Sequence, residues 1–177
     1  MAALAYLIDT LLGVAQLAFL LRLLLQWARA DFRNPLVRAV VQLTNPVLVP
    51  LRRLLPAVGR LDTASVIVVV ILAALRVSVS MSTPLGGTGI PSGLLIVAFA
   101  VLQILRTTLW IYFFSILLYA TLAMIAPGTY SPAQAVLASL CEPILRPFRR
   151  LIPPLANLDL SPLWALILIQ FLLILVR

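Results

Sequence analysis

The sequence predicts an all-α membrane protein with about four transmembrane helices, arranged as two tandem parallel hairpin repeats. Three observations carry that prediction. Apolar residues make up 63% of the 177-residue chain and charged residues only 10%. With a mean hydropathy of +1.16, this lies outside the range of soluble globular domains. The apolar residues fall in long runs: Tyr6–Leu21, Val66–Leu75, Leu94–Leu105, Thr107–Ala126 and Leu163–Val176. A bilayer core needs about 20 helical residues to cross. Finally, one block occurs twice at a fixed offset of 97 residues. Pro46 and Pro143, Arg52 and Arg149, Arg53 and Arg150, Pro56 and Pro153, and Asp62 and Asp159 correspond without a gap, the mark of a duplicated unit.

The first helix is expected over Leu4 to Trp27. It has no basic stretch before it and carries Asp9, so it reads as a retained span rather than a cleaved signal. The second is expected over Ala64 to Met81. The third ends near Ala126, where Pro127-Gly128 stops it; an unbroken run from Leu94 would be about 50 Å long at 1.5 Å per residue. It either tilts and protrudes or starts outside the core, which leaves five spans as the alternative. The fourth begins near Pro162. Repeat 1 is therefore 1–81, an external linker 82–93, and repeat 2 is 94–177.

All thirteen basic residues are arginine. Arg29, Arg33, Arg38, Arg52, Arg53 and Arg60 lie between the first two helices, and Arg146, Arg149 and Arg150 between the last two, while 82–93 is uncharged. The positive-inside rule places both Arg-Arg loops in the cytoplasm and both termini outside. Two spans per copy give repeats of the same orientation.

Each cytoplasmic loop should open on a capped helix: Asn34-Pro35 and Ser131-Pro132, again 97 apart, pair an N-cap residue with proline at the first helical position. Arg38, Gln42 and Asn45 among leucines and valines then suggest an amphipathic segment in the interface plane. Pro46, Pro50 and Pro56, like Pro143, Pro147 and Pro153, are expected to interrupt it and hold each Arg-Arg pair on a short turn. Asp62 with Ser65, and Asp159 with Ser161-Pro162, should restart the chain as membrane helices.

These residues resemble the YggT family of small bacterial and plastid membrane proteins. Its signature, Asn/Glu-Pro-x-Leu-x-Pro-x-Arg-Arg-x-x-Pro followed by Asp-x-Ser-Pro, is matched by Glu142-Pro143 through Pro153 and Asp159-Leu160-Ser161-Pro162. The first copy departs at its end, Asp62-Thr63-Ala64-Ser65, and keeps a single glycine, Gly59. Gln26-Trp27-Ala28-Arg29 with Asp31-Phe32-Arg33-Asn34-Pro35 is similar to the proteobacterial branch. The resemblance implies a multi-pass protein of the bacterial inner membrane. It also implies roles like those tied to relatives: osmotic-stress tolerance and ion uptake, cytochrome assembly, or cell division.

Composition weighs against catalysis. There is no histidine, and Cys141 is the single cysteine, so a histidine base, a dithiol and a thiolate metal site are absent within one chain. Gly86-Gly87-Thr88-Gly89 lacks the lysine of a phosphate loop. The expectation is a non-enzyme with no cofactor and no metal, and no nucleic-acid partner.

Arg52, Arg53, Arg149 and Arg150 have two readings: topological anchors among anionic head groups, or a platform for a lipid phosphate or acidic partner, suited to arginine's planar fork. Asp62 and Asp159 could pair with Arg53 and Arg150 to pin each loop. Asp9, Arg22, Gln26, Arg76 and Arg106 are intramembrane polar residues, which either snorkel or face a partner. An Asp9–Arg76 or Asp9–Arg106 pair is expected. Trp110, Tyr112, Phe113, Phe114 and Tyr119 read as packing and interface aromatics, and Ala73-Ala74 and Ser78-Val79-Ser80 as close-approach residues. The sequence thus points to an adaptor or assembly scaffold that contacts anionic lipids and a second copy or another membrane protein. The alternative is a small oligomeric ion channel or transporter component.

Overall fold

In the computed structural model, residues 2–54, 62–81, 93–125, 131–151 and 159–176 are described. Among them all regular structure is helical: α1 (Ala2–Trp27), α2 (Pro35–Leu54), α3 (Thr63–Met81), α4 (Gly93–Ile125), α5 (Pro132–Leu151) and α6 (Ser161–Leu175). The helices α1, α3 and α4 are long and apolar enough to cross a membrane. At 15 residues, α6 is apolar but reaches only about 23 Å. The exposed surface of the apolar helices is itself apolar, as in a helical membrane protein. Leu11 is 62% exposed and Leu94 81%, while Gln16 and Arg22 are buried. Hydroxyls on the apolar helices return to their own backbone, as Ser78 Oγ does to the Ala74 carbonyl and Thr107 Oγ1 to that of Gln103. This satisfies them where no water is available.

The helices run close to their expected bounds, and of the two possibilities for the third apolar helix the unbroken one is found, 33 residues or about 50 Å long. One expectation is corrected. The prolines do not interrupt the loop helices. Pro46 and Pro50 lie inside α2, and Pro143 and Pro147 inside α5. All four are exposed. Each proline frees the carbonyl four residues back, and the four-residue spacing puts both losses on one outward stripe, where a bend opens the helix to its surroundings. The Arg-Arg pairs therefore occupy the last turn of a helix, not a turn between prolines. Pro56 and Pro153 lie outside the described residues.

The N-caps form as expected. Asn34 Oδ1 accepts the Leu36 N–H at 2.9 Å, and Ser131 Oγ accepts that of Gln134 at 3.1 Å. The chain leaves α1 through a Schellman arrangement. Ala30 N–H donates to the Leu25 carbonyl and Arg29 N–H to that of Gln26, with Arg29 at φ 54°. This left-handed position is usually given to glycine.

The described chain forms two compact units: 1–23 with 42–107, and 24–41 with 108–177. In the first, Ala73 and Val77 of α3 pack on Ala100 of α4, with Ala74, Ile96 and Ile104 around them. The small side chains permit that close approach. Leu48 from α2 is fully buried. In the second unit α5 packs on α6, with Leu140, Cys141, Leu145, Ala165 and Ile169 buried. There Asn34 Nδ2 also donates to the Pro132 carbonyl at 2.7 Å. Trp110 stacks on Phe114 with centroids 5.4 Å apart.

Candidate functional site: two arginine networks and an intramembrane pair

The first unit builds a network at the end of α2. Leu48 is the buried residue one turn before Arg52, so Arg52 lies on the same stripe toward the start of α3, its side chain still 42% exposed, and Arg53 lies a further 100° round, also exposed. Arg52 Nε donates to Asp62 Oδ1 at 3.3 Å, and its Nη2 makes a short ion pair with Oδ2. Ser65 Oγ also donates to Asp62 Oδ2, at 2.6 Å. Burial would push the Asp62 carboxyl up, but hydrogen bonds from Arg52 and Ser65 outweigh it and hold the group below its ordinary value. Arg22, reaching over from α1, donates Nη1 to Thr44 Oγ1 and, at 2.9 Å, to Asn45 Oδ1. Arg22 is 5% exposed, so it is a buried member of this network and does not snorkel.

The second unit repeats the plan with different residues. Arg149 follows buried Leu145 by one turn, and Nε donates to Asp159 Oδ2 at 2.9 Å. Its Nη1 donates to Glu142 Oε2 at 2.8 Å, and Nη2 to Tyr119 Oη at 3.3 Å. Burial works against the Arg149 charge, yet Tyr119 and Asp159 raise its pKa above the ordinary value. Burial likewise opposes the Asp159 charge, but bonds from Ser161 and Arg149 win and lower its pKa. Arg150 and Arg146 are exposed. Cys141, buried beside this network, is pushed by its burial to about 12.

The expected pairing of Asp62 and Asp159 with Arg53 and Arg150 is thus corrected: the first arginine of each doublet is the partner. Ser161 is also not the cap of α6. Leu160 takes that place, and Ser161 N–H instead donates to Asp159 Oδ1 at 2.9 Å.

Deeper in the first unit, Arg76 Nε donates to Asp9 Oδ1 at 2.9 Å, Nη2 to Asp9 Oδ2 at 3.2 Å, and Nη1 to Gln16 Oε1 at 3.0 Å. Of the two expected partners for Asp9 it is Arg76 that pairs; Arg106 is exposed. Gly13 makes room for the guanidinium: a Cβ there would lie 3.2 Å from Arg76 Cζ. Gln26 is half-buried near the end of α1.

Sequence reasoning missed Gln16, Thr44, Asn45, Glu142 and Tyr119 as partners. For Asn45, Glu142 and Tyr119 the 97-residue offset held the signal, because it sets Arg22 against Tyr119 and Asn45 against Glu142. Among the described residues no His, Cys, Asp or Glu group could hold a metal ion.

An all-helical chain with membrane-length apolar helices and an arginine–aspartate clasp at the foot of each amphipathic helix defines the class of protein. Its family follows from comparison. The CCB3/YggT family model matches residues 1–83 and 98–177, two stretches whose starts are 97 residues apart. The chain is 37% identical over 166 residues to the uncharacterized protein PA0392 of Pseudomonas aeruginosa, covering 93% of this chain and 83% of that one. It is 36% identical over 173 residues to the uncharacterized protein YggT of Escherichia coli (strain K12), covering 96% and 86%. An uncharacterized Haemophilus influenzae protein is 32% identical over 168 residues, covering 95% and 88%. The chain belongs to the CCB3/YggT family. No solved structure matches it.

Proposed function

We propose that this chain is a non-enzymatic adaptor or assembly scaffold of the bacterial inner membrane that supports envelope or osmotic-stress homeostasis. Its four spans are α1, α3, α4 and α6, in two tandem hairpin repeats of the same orientation, with the Arg-Arg segments in the cytoplasm and both termini outside. The identical offset of α2 and α5, which begin and end 97 residues apart, supports the repeat, as do the two stretches matched by the family model. The positive-inside rule supports the orientation.

One observation carries the functional reading: in each doublet the first arginine is clasped to an aspartate and the second is exposed. A pure topology signal needs positive charge but no such division of roles. The clasp fixes the end of the amphipathic helix, so that Arg53 and Arg150 are presented at set places to anionic head groups or an acidic partner. A second copy, or another membrane protein, is the macromolecule such a scaffold would hold.

The test is rescue of growth in hyperosmotic medium, in cells lacking their own copy. Arg53→Glu with Arg150→Glu should abolish rescue at an unchanged amount of protein in the membrane. Rescue equal to that of the wild type would overturn the scaffold reading.

A further inference from the structure

The two arginine networks occupy equivalent places in the sequence but carry opposite charge. In the first unit Arg22 and Arg52 are set against one carboxylate, Asp62, which lies within electrostatic reach of both. In the second, Arg149 is set against two, Glu142 and Asp159, and Tyr119 stands where Arg22 does. The difference centres on a single nitrogen. Glu142 takes Nη1 of Arg149, whereas position 45 is asparagine, whose Oδ1 accepts from Arg22. The Asp62 pair engages Nε and Nη2 of Arg52 and leaves Nη1 outside it. The Asn45 amide N–H₂, on the other fork of the group that faces Arg22, adds a neutral donor at a half-buried place.

The second unit therefore supplies from its own chain an anion that the first does not. The place is reachable, since Glu142 is 53% exposed and Arg52 42%. Exposed Leu43 and Val47 flank Asn45 on α2, which suits an anion carried on acyl chains better than one free in water.

We propose that Arg22, Asn45 and Arg52, with exposed Arg53 beside them, bind the phosphate of one anionic phospholipid, and that the Glu142 carboxylate closes the equivalent place in the second unit. The proposal rests on the cytoplasmic, head-group-facing placement of the doublets given above. Arg22 acts from beneath, holding Asn45 and adding charge, while Arg52 and Arg53 offer donors to the phosphate oxygens.

The test is native mass spectrometry of the full chain, delipidated in detergent and titrated with phosphatidylglycerol, phosphatidylcholine or inorganic phosphate. Wild type should retain one phosphatidylglycerol per chain and no phosphatidylcholine. Asn45→Glu, which installs the carboxylate that the second unit already has, should weaken retention by at least roughly tenfold while the thermal midpoint is kept or raised. Glu142→Gln should allow a second lipid. Unchanged retention in Asn45→Glu would overturn the site, and so would inorganic phosphate binding as tightly as the lipid. Arg53→Gln with Arg150→Gln separates the two readings through binding of the chain to phosphatidylglycerol-rich nanodiscs. If that variant loses nanodisc affinity while Asn45→Glu keeps its lipid, only the phosphate site falls. If neither affinity changes, the head-group reading falls with it.

Discussion

Replacing each clasp aspartate by alanine should cost very different amounts in the two units. Asp62 is 3% exposed and accepts from Arg52 twice and from Ser65 once. Removing one partner of a buried ion pair costs about 3–5 kcal/mol when both charges are buried. Arg52 keeps 42% of its side chain accessible and can partly rehydrate, which lowers the expectation for Asp62→Ala to about 2–3 kcal/mol. Asp159 is 41% exposed, and Arg149 keeps Glu142 and Tyr119 as partners. Asp159→Ala should therefore cost under about 1 kcal/mol. For a chain of this length each kcal/mol moves the thermal midpoint by about 2–4 °C. The expected falls are about 4–12 °C for Asp62→Ala and less than about 4 °C for Asp159→Ala. The assay is thermal unfolding in one detergent, followed by intrinsic fluorescence and circular dichroism. Equal shifts at the two positions, or none at Asp62, would refute the claim that burial of the clasp sets its contribution.

Four further outcomes are expected. Both clasp aspartates titrate below the ordinary value of 3.8 in the folded chain. Their stabilisation is complete above that value and is lost as pH falls through the lower folded-state value; midpoints measured across acid pH should drop there for the wild type and less steeply for Asp62→Ala. Asp9→Asn should lower stability by about 1–2 kcal/mol in the same thermal assay, and Gly13→Val should do so more than Gly13→Ala, because added bulk displaces the Arg76 guanidinium. Arg29→Gly should stabilise the chain by about 1 kcal/mol of relieved left-handed strain and so raise the thermal midpoint by about 2–4 °C; a fall would count against the Schellman exit from α1. The Cys141 thiol should resist maleimide at neutral pH until the chain is unfolded, since only the thiolate reacts. Prompt labelling of folded protein would show that it is not buried.

A measurement of ion flux bears on the remaining question of transport. Arg22 and Arg76 are held by neighbours within the first unit, as expected of residues that brace helices. Liposomes carrying only this protein should pass potassium or chloride no faster than empty ones, and Arg76→Ala should change stability rather than flux.

Much of the architecture was legible in the residues themselves. Hydropathy marked the apolar helices because membrane insertion reads composition along a single strand of sequence. Asn34-Pro35 and Ser131-Pro132 marked helix starts because capping is made between residues two or three apart. The Asp9–Arg76 pair was nameable because few charges are tolerated at that depth, and so few partners exist. What the sequence left open depended on direction around a helix axis and on which helix lies alongside. Treating the prolines as breaks hid the one-turn step from Leu48 to Arg52 and from Leu145 to Arg149, and with it the fact that the inner arginine, not the outer, meets the aspartate. Arg22 stays open between snorkelling and pairing until Thr44 and Asn45 of α2 are seen to accept from it. Composition and local spacing determine which elements form. Only the packing of one helix on another decides which charges are clasped and which are left to face a partner, because that choice turns on 100° of rotation per residue.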